Sequence, residues 1–397
     1  MVNLKYDQNE NNLGCFESCI IAFPSSIFSL NFHLYDYWAK CISSSFVKSQ
    51  TLYLNQSSEN KTDKLISIIQ EEKPSWVFVE PTFSLDINKI YLNKRRNGYR
   101  LCSLLFDSHY LYRSLYLPWT SISDLTVCEN PLYSGMYRRY GINSHFLPYP
   151  FEHLDLEGRS FVREVWPISV SFVGNTTKQK PYRKFYLDFL VKNDLDVQVY
   201  GTGTANGYIS YQEMTNVFTK SCVNLNFTQG TISFGIQEDL VYERILNGRV
   251  FEIAAAGGLC LCEYSAAASA IWQDFQEIVY FYNERDLVEK IRYLIENPTI
   301  AGQIRNNAYQ KFCAEFSKDV FLQRLKNLML ECKGLHLDLN LEVQQIIRTK
   351  EFTFESRKIS FRTYLKNLVE VLGLNKILSY LKTVIRFFGT GQSRSKV

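Results

Sequence analysis

The stretch NGRVFEIAAAGGLCLCEY, residues 247–264, joins a short helical pattern to an apolar run. Arg249 and Glu252 are three residues apart, so they share one face near the start of the helix. Alanines stand where a core helix would carry leucines, and Gly257 with Gly258 favours a left-handed helix end. The LCLC run is typical of a buried strand. The stretch therefore predicts a helix-to-strand unit of a parallel sheet, in which the backbone approaches something closely and one cation and one carboxylate face it.

The same alternation of apolar runs and helix-like stretches continues in both directions along the chain. Alternation of this kind is typical of parallel α/β units. Two consecutive series occur, separated by a polar connection that follows Pro150. We therefore predict an α/β protein with two parallel-sheet domains. The predicted strands are Cys19–Phe23, Thr51–Leu54, Trp76–Glu80, Arg100–Phe106, Leu125–Cys128 and His145–Leu147 in the first series, and Ser169–Val173, Val197–Tyr200, Cys222–Phe227, Leu259–Cys262 and Ile278–Phe281 in the second.

The predicted organisation has three parts: a first α/β domain at 1–160, a second at 161–335 and a helical tail at 336–397. Two α/β domains of similar size enclose a cleft, and ligands of open parallel sheets bind beyond the carboxyl ends of the strands. We therefore expect the functional residues at the strand ends. The predicted helices include Thr62–Gln70, Leu132–Tyr140, Arg183–Val191, Arg249–Ala256, Glu284–Ile295 and Ile300–Phe312.

Composition excludes several functional classes. The 397-residue chain is 46% hydrophobic, enough to bury two cores, and its net charge is only +4. No dense Lys/Arg block precedes the C-terminal segment, which disfavours a nucleic-acid-binding protein. The ten cysteines are scattered without a CxxC pair, which indicates reduced thiols rather than a disulfide framework. The polar start MVNLKYDQNENN has no signal-peptide pattern, and no apolar run approaches the roughly 20 residues that span a bilayer. We predict a cytoplasmic protein.

Two glycine-containing strand ends in the second half are candidate ligand sites. Gly174 and Asn175 follow a predicted strand, and Arg183 lies in the helix that begins near Pro181. Amides at a helix N-terminus with a nearby cation suit a phosphate, although an ordinary βα loop has the same composition. Gly201 follows the next strand in VYGTGTANGY, which lacks the GxGxxG spacing of dinucleotide sites. Close approach of a base or ribose to the backbone is the favoured interpretation there.

The quoted stretch supplies the third candidate site. Asn247 is predicted to cap the helix N-terminus. Arg249 can grip a phosphate with two N–H groups, and Glu252 can accept hydrogen bonds from vicinal hydroxyls. The alternative is a surface ion pair worth only about 0.3–0.5 kcal/mol. The apolar strand that follows favours an interior helix, in which this polar pair needs a buried partner. A nucleotide diphosphate-sugar offers both an anion and a diol.

The quoted stretch and the following FQEIVYFYNERDLVEKIRYLIENPTIAGQIRNNAYQKF together resemble the C-terminal domain of the CgeB-like group of glycosyltransferases. The shared pattern is R-x-F-E, a small-residue run that ends in glycine, a hydrophobic strand, and then a strand and helix. The upstream SFVGN and VYGTG fall at the glycine turns of that group. The resemblance covers about Ser169 to Phe316 and reaches the first half only in outline.

This resemblance implies a GT-B architecture, in which the first Rossmann-like domain takes the acceptor and the second holds the nucleotide-sugar. It implies a glycosyltransferase of the hexosyltransferase type that needs no metal or other cofactor. Carried over residue by residue, Arg249 faces the diphosphate, Glu252 faces the ribose or the sugar, Gly174 lies under the phosphates and Gly201 lies near the base. The acceptor stays open among a surface glycan, a lipid-linked glycan and a protein.

One position departs from the pattern of the resembling enzymes. Many retaining GT-B enzymes carry a second glutamate eight residues before the one equivalent to Glu252, and here that position is Arg244, with Glu243 beside it. The departure leaves the stereochemical outcome open. It also keeps two alternatives: a non-catalytic nucleotide-binding protein with a role in assembly, and a nucleotide-sugar epimerase or hydrolase.

The catalytic base is sought in the first half. In SLLFDSHYLYRS, Asp107 and His109 follow a hydrophobic strand, where an acid or base facing the cleft is expected. Asp107 resembles the aspartate that follows the equivalent strand in related enzymes. An N-cap aspartate and a solvated histidine would give the same pattern. A retaining enzyme would instead rely on the leaving phosphate and electrostatic stabilisation.

Two further segments carry predictions. The polar connection from Asn226 to Glu243 is long enough to be a functional loop, and we predict that it contacts the donor sugar, although a plain surface loop would give the same pattern. In the tail, apolar residues between Leu365 and Phe388 recur at helical spacing with lysine and arginine between them. Such a helix either lies peripherally on an anionic membrane or packs against the protein or a partner subunit.

Overall fold

A computed structural model describes residues 16–25, 32–55, 60–82, 84–106, 112–177, 181–229 and 244–333. Its frame is two sheets in which every strand pairing is parallel. The first sheet has six strands in the order β2-β1-β3-β4-β5-β6, and the second has five in the order β11-β10-β9-β7-β8. The strands are β1 Phe16–Ser25, β2 Phe46–Asn55, β3 Trp76–Val79, β4 Arg100–Leu105, β5 Leu125–Cys128, β6 Ser144–Phe146, β7 Ile168–Val173, β8 Val197–Tyr200, β9 Ser221–Asn226, β10 Cys260–Glu263 and β11 Val279–Phe281.

Helices connect the successive parallel strands, as the crossover between parallel strands requires. Side chains cap the N-termini of several helices. Asp86 accepts hydrogen bonds from two backbone amides in the first turn of α3, and Asn130 accepts one from a backbone amide in the first turn of α5. The helices are α1 Phe32–Ser43, α2 Lys61–Glu72, α3 Ile87–Asn97, α4 Leu117–Ile122, α5 Pro131–Arg139, α6 Pro181–Lys192, α7 Tyr211–Lys220, α8 Arg249–Ala255, α9 Ala266–Ser269, α10 Glu284–Glu296, α11 Pro298–Glu315 and α12 Lys318–Glu331, and a π-helical turn at Tyr112–Tyr116 precedes α4.

Each predicted strand is present, and the predicted α/β class with two parallel sheets is confirmed. The largest difference is in β2, which begins at Phe46 rather than at Thr51 because its polar first half pairs with β1 from Phe16 onward. Both sheets place their first strand between the second and the third. The crossovers therefore leave to opposite sides of the first strand, which creates the crevice that ligands of such sheets use.

The glycines of the quoted stretch serve close packing of the chain on itself. Gly257 has φ +65, the predicted left-handed end of α8, and a Cβ there would lie 2.9 Å from the ring of Phe161. A Cβ on Gly258 would lie 2.8 Å from the side-chain nitrogen Nδ2 of Asn224. The backbone amide of Leu154 also donates to the carbonyl of Ala255 at 3.2 Å. The small residues of α8 thus admit the connection between the two sheets and the neighbouring strand β9.

The last described helix, α12, packs on the first half of the chain. Its buried Phe321 lies 6.3 Å from the ring of Tyr149, centroid to centroid. Just beyond α12, the thiol of Cys332 donates to the carbonyl of Asp124 at 3.3 Å, and the Arg100 guanidinium donates to the carbonyl of Cys332. The chain therefore crosses between the two halves twice, once before β7 and once before α12.

The buried cysteines give a first testable expectation. Burial raises the pKa of the Cys19 thiol to about 12 and that of the Cys222 thiol to about 11, and the thiolate is the reactive species. Of the ten cysteines, eight are buried in the described residues. We expect these eight to stay unreacted with a thiol reagent at pH 8 in the native protein, and all ten to react in guanidinium. More than two fast thiols in the native state would contradict this expectation.

Candidate functional site

A cleft of about 580 Å³ opens between the carboxyl ends of the two sheets. It lies at both places where the strand order reverses, since it reaches Glu80 after β3 and Gly174 after β7. A second cavity of about 210 Å³ adjoins it and shares Gly174, Arg249 and Glu252 with it. The cleft is lined from the first half by Leu34, Tyr35, Trp38, Glu80, Phe106, Glu129, Pro148, Tyr149 and Phe151, and from the second half by residues that include Gly174, Asn175, Arg183, Asn226, Asn247, Arg249 and Glu252.

The turns after β7 and β8 touch each other at their glycines. The amide of Gly174 donates to the carbonyl of Tyr200 at 2.8 Å, and Gly201 has φ +116. A Cβ on Gly201 would lie 2.9 Å from the carbonyl carbon of Gly174. Asn175 holds the rest of its turn, because its side-chain oxygen accepts from the amide of Thr177 at 2.7 Å. The turn after β7 lines both cavities through Gly174 and Asn175, and the turn after β8 lines the second cavity through Gly201 and Thr202.

Arg183 comes from the first turn of α6, as the sequence predicts, and reaches the cleft. The residue is 9% exposed, and its guanidinium lies 5.6 Å from the centroid of the Phe172 ring. Its Nη1 donates to the carbonyl of Asn175 at 3.1 Å, and its Nε donates to the hydroxyl of Tyr182 at 3.1 Å. No carboxylate pairs with it among the described residues. The guanidinium thus brings a positive charge to the lining of the cleft.

Arg249 and Glu252 form an ion pair of 2.7 Å within α8. Their side chains are 25% and 9% exposed, so this is not the solvated surface pair of the alternative interpretation. The Arg249 guanidinium lies 5.4 Å from the centroid of the Phe218 ring and also contacts the sulfur of Met214. The pair lines both cavities. Both side chains thus lie in the cleft, at the strand-end position where the sequence predicts the functional residues.

The prediction that Asn247 caps α8 is wrong. Gly248 holds the cap position, and no side chain hydrogen-bonds to the first turn. Asn247 instead donates from Nδ2 to the carbonyl of Phe227 at 3.2 Å, which ties the start of α8 to the end of β9. The side chain of Asn247 therefore acts as a donor to a distant carbonyl and does not accept from the amides of the first turn of α8. The Oδ1 of Asn247 is buried without a hydrogen-bond partner in the described structure, and the residue lines the cleft.

Arg244, which departs from the glycosyltransferase pattern, pairs with Glu263 at the end of β10. Glu263 is 2% exposed, and its other oxygen accepts from the amides of Thr228 and Gln229 at 3.0 and 3.1 Å. Arg244 therefore neutralises a buried carboxylate that holds the chain after β9. Gln229 and Arg244 flank the predicted donor-sugar loop, and residues 230–243 of that loop lie outside the described part.

Sequence reasoning missed two carboxylates in the cleft, Glu80 and Glu129. Glu80 follows β3 and is 8% exposed, and Glu129 follows β5. Both have the signal used for Asp107, a carboxylate directly after an apolar strand, but Glu80 was assigned to the strand itself. Asp107 and His109, which follow β4, lie outside the described residues, so their catalytic role stays a prediction.

Two further observations concern the described residues alone. No group of three or more His, Cys, Asp or Glu side chains comes together there in a way that could hold a metal ion. No helix among them is long and apolar enough to cross a membrane. The tail from Leu365 to Phe388 lies outside the described part, so its membrane role stays a prediction.

Comparison with known proteins supports the fold and finds a family match in the second half of the chain. Residues 180–327 match a family described as glycosyl transferase-like. No curated protein matches the chain in sequence. Among solved structures, Anabaena Alr3699/HepE in complex with UDP-glucose aligns with a TM-score of 0.58 at 8% identity, over 79% of this chain and 99% of that one. The apo lipopolysaccharide outer core galactosyltransferase WaaB aligns at 0.54 and 11% identity, over 79% and 99%.

Sucrose-phosphate synthase from Thermosynechococcus elongatus also aligns, with a TM-score of 0.57 at 8% identity, over 79% of this chain and 98% of that one. At identities this low, the structural similarity establishes the fold and does not establish the chemistry. The predicted GT-B architecture of two Rossmann-like domains is confirmed. The glycosyl transferase-like match begins at the start of α6 and ends within α12, in the half that holds Arg183, Arg249 and Glu252.

Proposed function

We propose that the protein is a glycosyltransferase that moves a sugar from a nucleotide-sugar to an acceptor hydroxyl. The observation that carries the proposal is the convergence of Arg183, Arg249 and Glu252 on the strand-order reversal of the second sheet, within an open cleft. The glycosyl transferase-like match over the same half supports it. So does the UDP-glucose bound by a protein of similar fold.

The residues suit the parts of a nucleotide-sugar. Arg249 would bind the diphosphate, because a guanidinium offers two parallel N–H donors to phosphate oxygens. Arg183 would add a second cation from the lining of the cleft. Glu252, an acceptor for hydroxyl donors, would take the ribose or sugar diol. The bare backbone at Gly174 and Gly201 would let the phosphates and the base approach closely.

Several finer features belong to the proposal. Asp107, with His109 as the second choice, is the proposed base toward the acceptor, and both stereochemical outcomes are compatible with Arg244 at the position where many retaining GT-B enzymes carry a glutamate. We propose that turnover needs no metal or other cofactor, as the resemblance to GT-B enzymes implies, and that Arg183 and Arg249 hydrogen-bond the leaving diphosphate. Membership of the CgeB-like group, a cytoplasmic location and peripheral membrane contact by the tail are proposed on the sequence pattern alone. The acceptor is a glycan, lipid or protein, and no nucleic acid takes part.

Nucleotide binding tests the proposal. We expect calorimetric titration with UDP, GDP, ADP, CDP and dTDP to find one nucleoside diphosphate that binds. When the protein is incubated with cell-derived acceptors and a nucleotide-sugar of that nucleotide, the same nucleoside diphosphate should be released as the product. Arg183→Met should weaken the binding by about tenfold or more, because a diphosphate loses one buried cation. Turnover should persist in excess chelator.

The matched control is Arg285→Met, which removes an equal charge from an exposed position on α10. It should leave the affinity unchanged. The proposal is wrong if no nucleoside diphosphate binds, or if both variants weaken binding alike. Tight nucleotide binding without transfer to any acceptor would favour the assembly-protein alternative, and isomerised donor or free sugar would favour an epimerase or hydrolase.

A further inference from the structure

Four aromatic side chains outside the cleft lie together on the surface of the second half. Tyr264, Phe275, Tyr282 and Tyr293 are each between 38% and 60% exposed. The ring of Tyr264 stacks on that of Tyr282 at 5.1 Å between centroids, and the ring of Phe275 lies 6.1 Å from that of Tyr293. The ammonium of Lys290 joins the two pairs, since it lies 5.2 Å from the centroid of the Tyr282 ring and 5.9 Å from that of Phe275. The four rings form one continuous aromatic strip.

The aromatic strip begins beside the cleft. Tyr264 follows β10 and Tyr282 follows β11, so both lie at the carboxyl edge of the second sheet, where the cleft opens. β10 is the neighbour of β9, whose end lines the cleft, and adjacent strands are about 4.8 Å apart. Ser265, next to Tyr264, donates to the carbonyl of Arg244 at 3.0 Å, and the cleft-lining Ile245 comes directly after it. The strip therefore continues outward from the rim of the cleft.

The backbone at Phe275 favours a function for the exposed ring. Phe275 has φ +54, a left-handed conformation that is rare for a bulky residue. Its amide donates to the carbonyl of Ile278 at 2.7 Å, which closes the turn before β11. Glycine would form this turn without strain, and it would not place an apolar ring in water. Both the strain and the exposure cost stability, which is typical of residues kept for binding.

The edge of the sheet beside the strip is closed to a peptide strand. β11 is the edge strand, and the backbone groups that point outward from it have side-chain partners. The amide of Tyr280 donates to Asp274 at 3.0 Å, and its carbonyl accepts from Lys290 at 2.6 Å. The amide of Tyr282 donates to Asp286 at 2.9 Å. A peptide that added a strand here would have to break these contacts, so the ring faces are the surface on offer.

Flat aromatic faces suit a sugar chain. A pyranose ring presents C–H faces, which gain from leaving water against an aromatic face, and a rim of hydroxyls. The tyrosine hydroxyls of the strip can donate to such hydroxyls and accept from them. The ammonium of Lys290 is paired with the carboxylate of Asp286 at 3.0 Å, so the strip suits an uncharged ligand.

We propose that the aromatic strip binds a glycan chain that extends out of the cleft, so that the acceptor is an oligosaccharide or polysaccharide rather than a monosaccharide or a protein side chain. The inference rests on the proposed glycosyltransferase function. The strip contacts sugar rings distant from the reacting hydroxyl. It therefore contributes to affinity for long acceptors and takes no part in the chemical step.

Electrophoresis in native gels that contain a neutral polysaccharide tests the inference. The gels hold dextran, pullulan, laminarin, galactomannan or hydroxyethyl cellulose. We expect at least one polymer to slow the protein relative to a gel without polysaccharide. The double variant Tyr282→Ala, Phe275→Gly should weaken the apparent affinity by about tenfold or more, because two aromatic contacts are lost. Phe275→Gly alone should melt no earlier than the wild-type protein, since glycine adopts φ +54 without strain.

The control is Phe185→Ala, which removes a 54% exposed ring from α6, outside the strip, and should leave the retardation unchanged. Equal mobility in all gels, or unchanged retardation of the double variant, would overturn the inference. So would a dimer in sedimentation that the double variant dissociates, because the strip would then bind a second copy of the chain. Failure of the proposed function is distinct, because it appears as a lack of nucleotide binding, which the polysaccharide gels do not measure.

Discussion

Arg249→Met is expected to lower kcat/KM for the nucleotide-sugar by roughly 10² to 10³. The change removes a cation that lines the cleft, and it also leaves the carboxylate of Glu252, 9% exposed and 2.7 Å from the guanidinium in the native protein, without its partner. An unpaired carboxylate at the diphosphate position would repel the donor. Both effects act in the same direction, so the loss should exceed that of Arg183→Met. Steady-state kinetics with the preferred donor measure it.

Two companion variants separate the causes of this loss. Arg249→Lys keeps the charge but not the forked pair of donors, so its activity should fall between those of wild type and Arg249→Met. Adding Glu252→Gln to Arg249→Met removes the unpaired carboxylate and should restore part of the donor affinity, though not the rate. If Arg249→Met turns over at the wild-type rate, the pair is structural and donor recognition lies elsewhere.

Gly201→Ala is expected to lower the free energy of unfolding by about 3 kcal/mol or more. The residue combines φ +116 with close contact to the backbone of Gly174, so a Cβ would face both an unfavourable conformation and a rigid neighbour 2.9 Å away. The turns after β7 and β8 would have to separate. Urea denaturation measures the loss, and nucleotide affinity should fall with it because the turn after β7 lines both cavities and the turn after β8 lines the second.

Gly98→Ala is the matched control for this substitution. Gly98 also has positive φ, at +71, but a Cβ there would meet nothing within 4 Å. Gly98→Ala should lower the free energy of unfolding by only about 1–2 kcal/mol, because it adds the unfavourable backbone conformation without a steric clash. The difference between the two variants isolates the contact with Gly174. Equal losses would mean that the close approach of the two turns contributes nothing to stability.

The sequence predicts the sheets well because each strand signal is local. Val197–Tyr200 and Leu125–Cys128 are found with the predicted bounds, as short apolar runs between polar turns. The cleft positions of Arg249 and Glu252 also follow from local spacing, since a three-residue separation and a following buried strand fix one face of α8. Local periodicity and the strand-end rule together were enough for this half of the site.

The sequence-based predictions fail where the contact of a side chain is set by a group distant in the sequence. Asn247 has the residue type of a cap, but its amide binds a carbonyl twenty positions earlier in the chain, at Phe227. The role of Arg244 depends on Glu263 in another strand, and no spacing rule links the two. The small residues of α8 correctly indicated a close backbone approach, but the connection around Leu154, rather than a ligand, supplies the neighbour shown.

The return of α12 to the first half has a consequence for protein engineering and for synthesis. The first sheet leaves the ribosome long before Phe321 and Cys332, the residues that cover its helix α1 side and the carbonyl of Asp124. During synthesis, the part of the first domain that α12 covers therefore stays exposed until nearly the whole described chain has emerged. For the same reason, a chimera that exchanges the second α/β half should cut the chain twice, before β7 and again before α12. A single cut would leave the first α/β half of each chimera covered by a helix that belongs to the other parent.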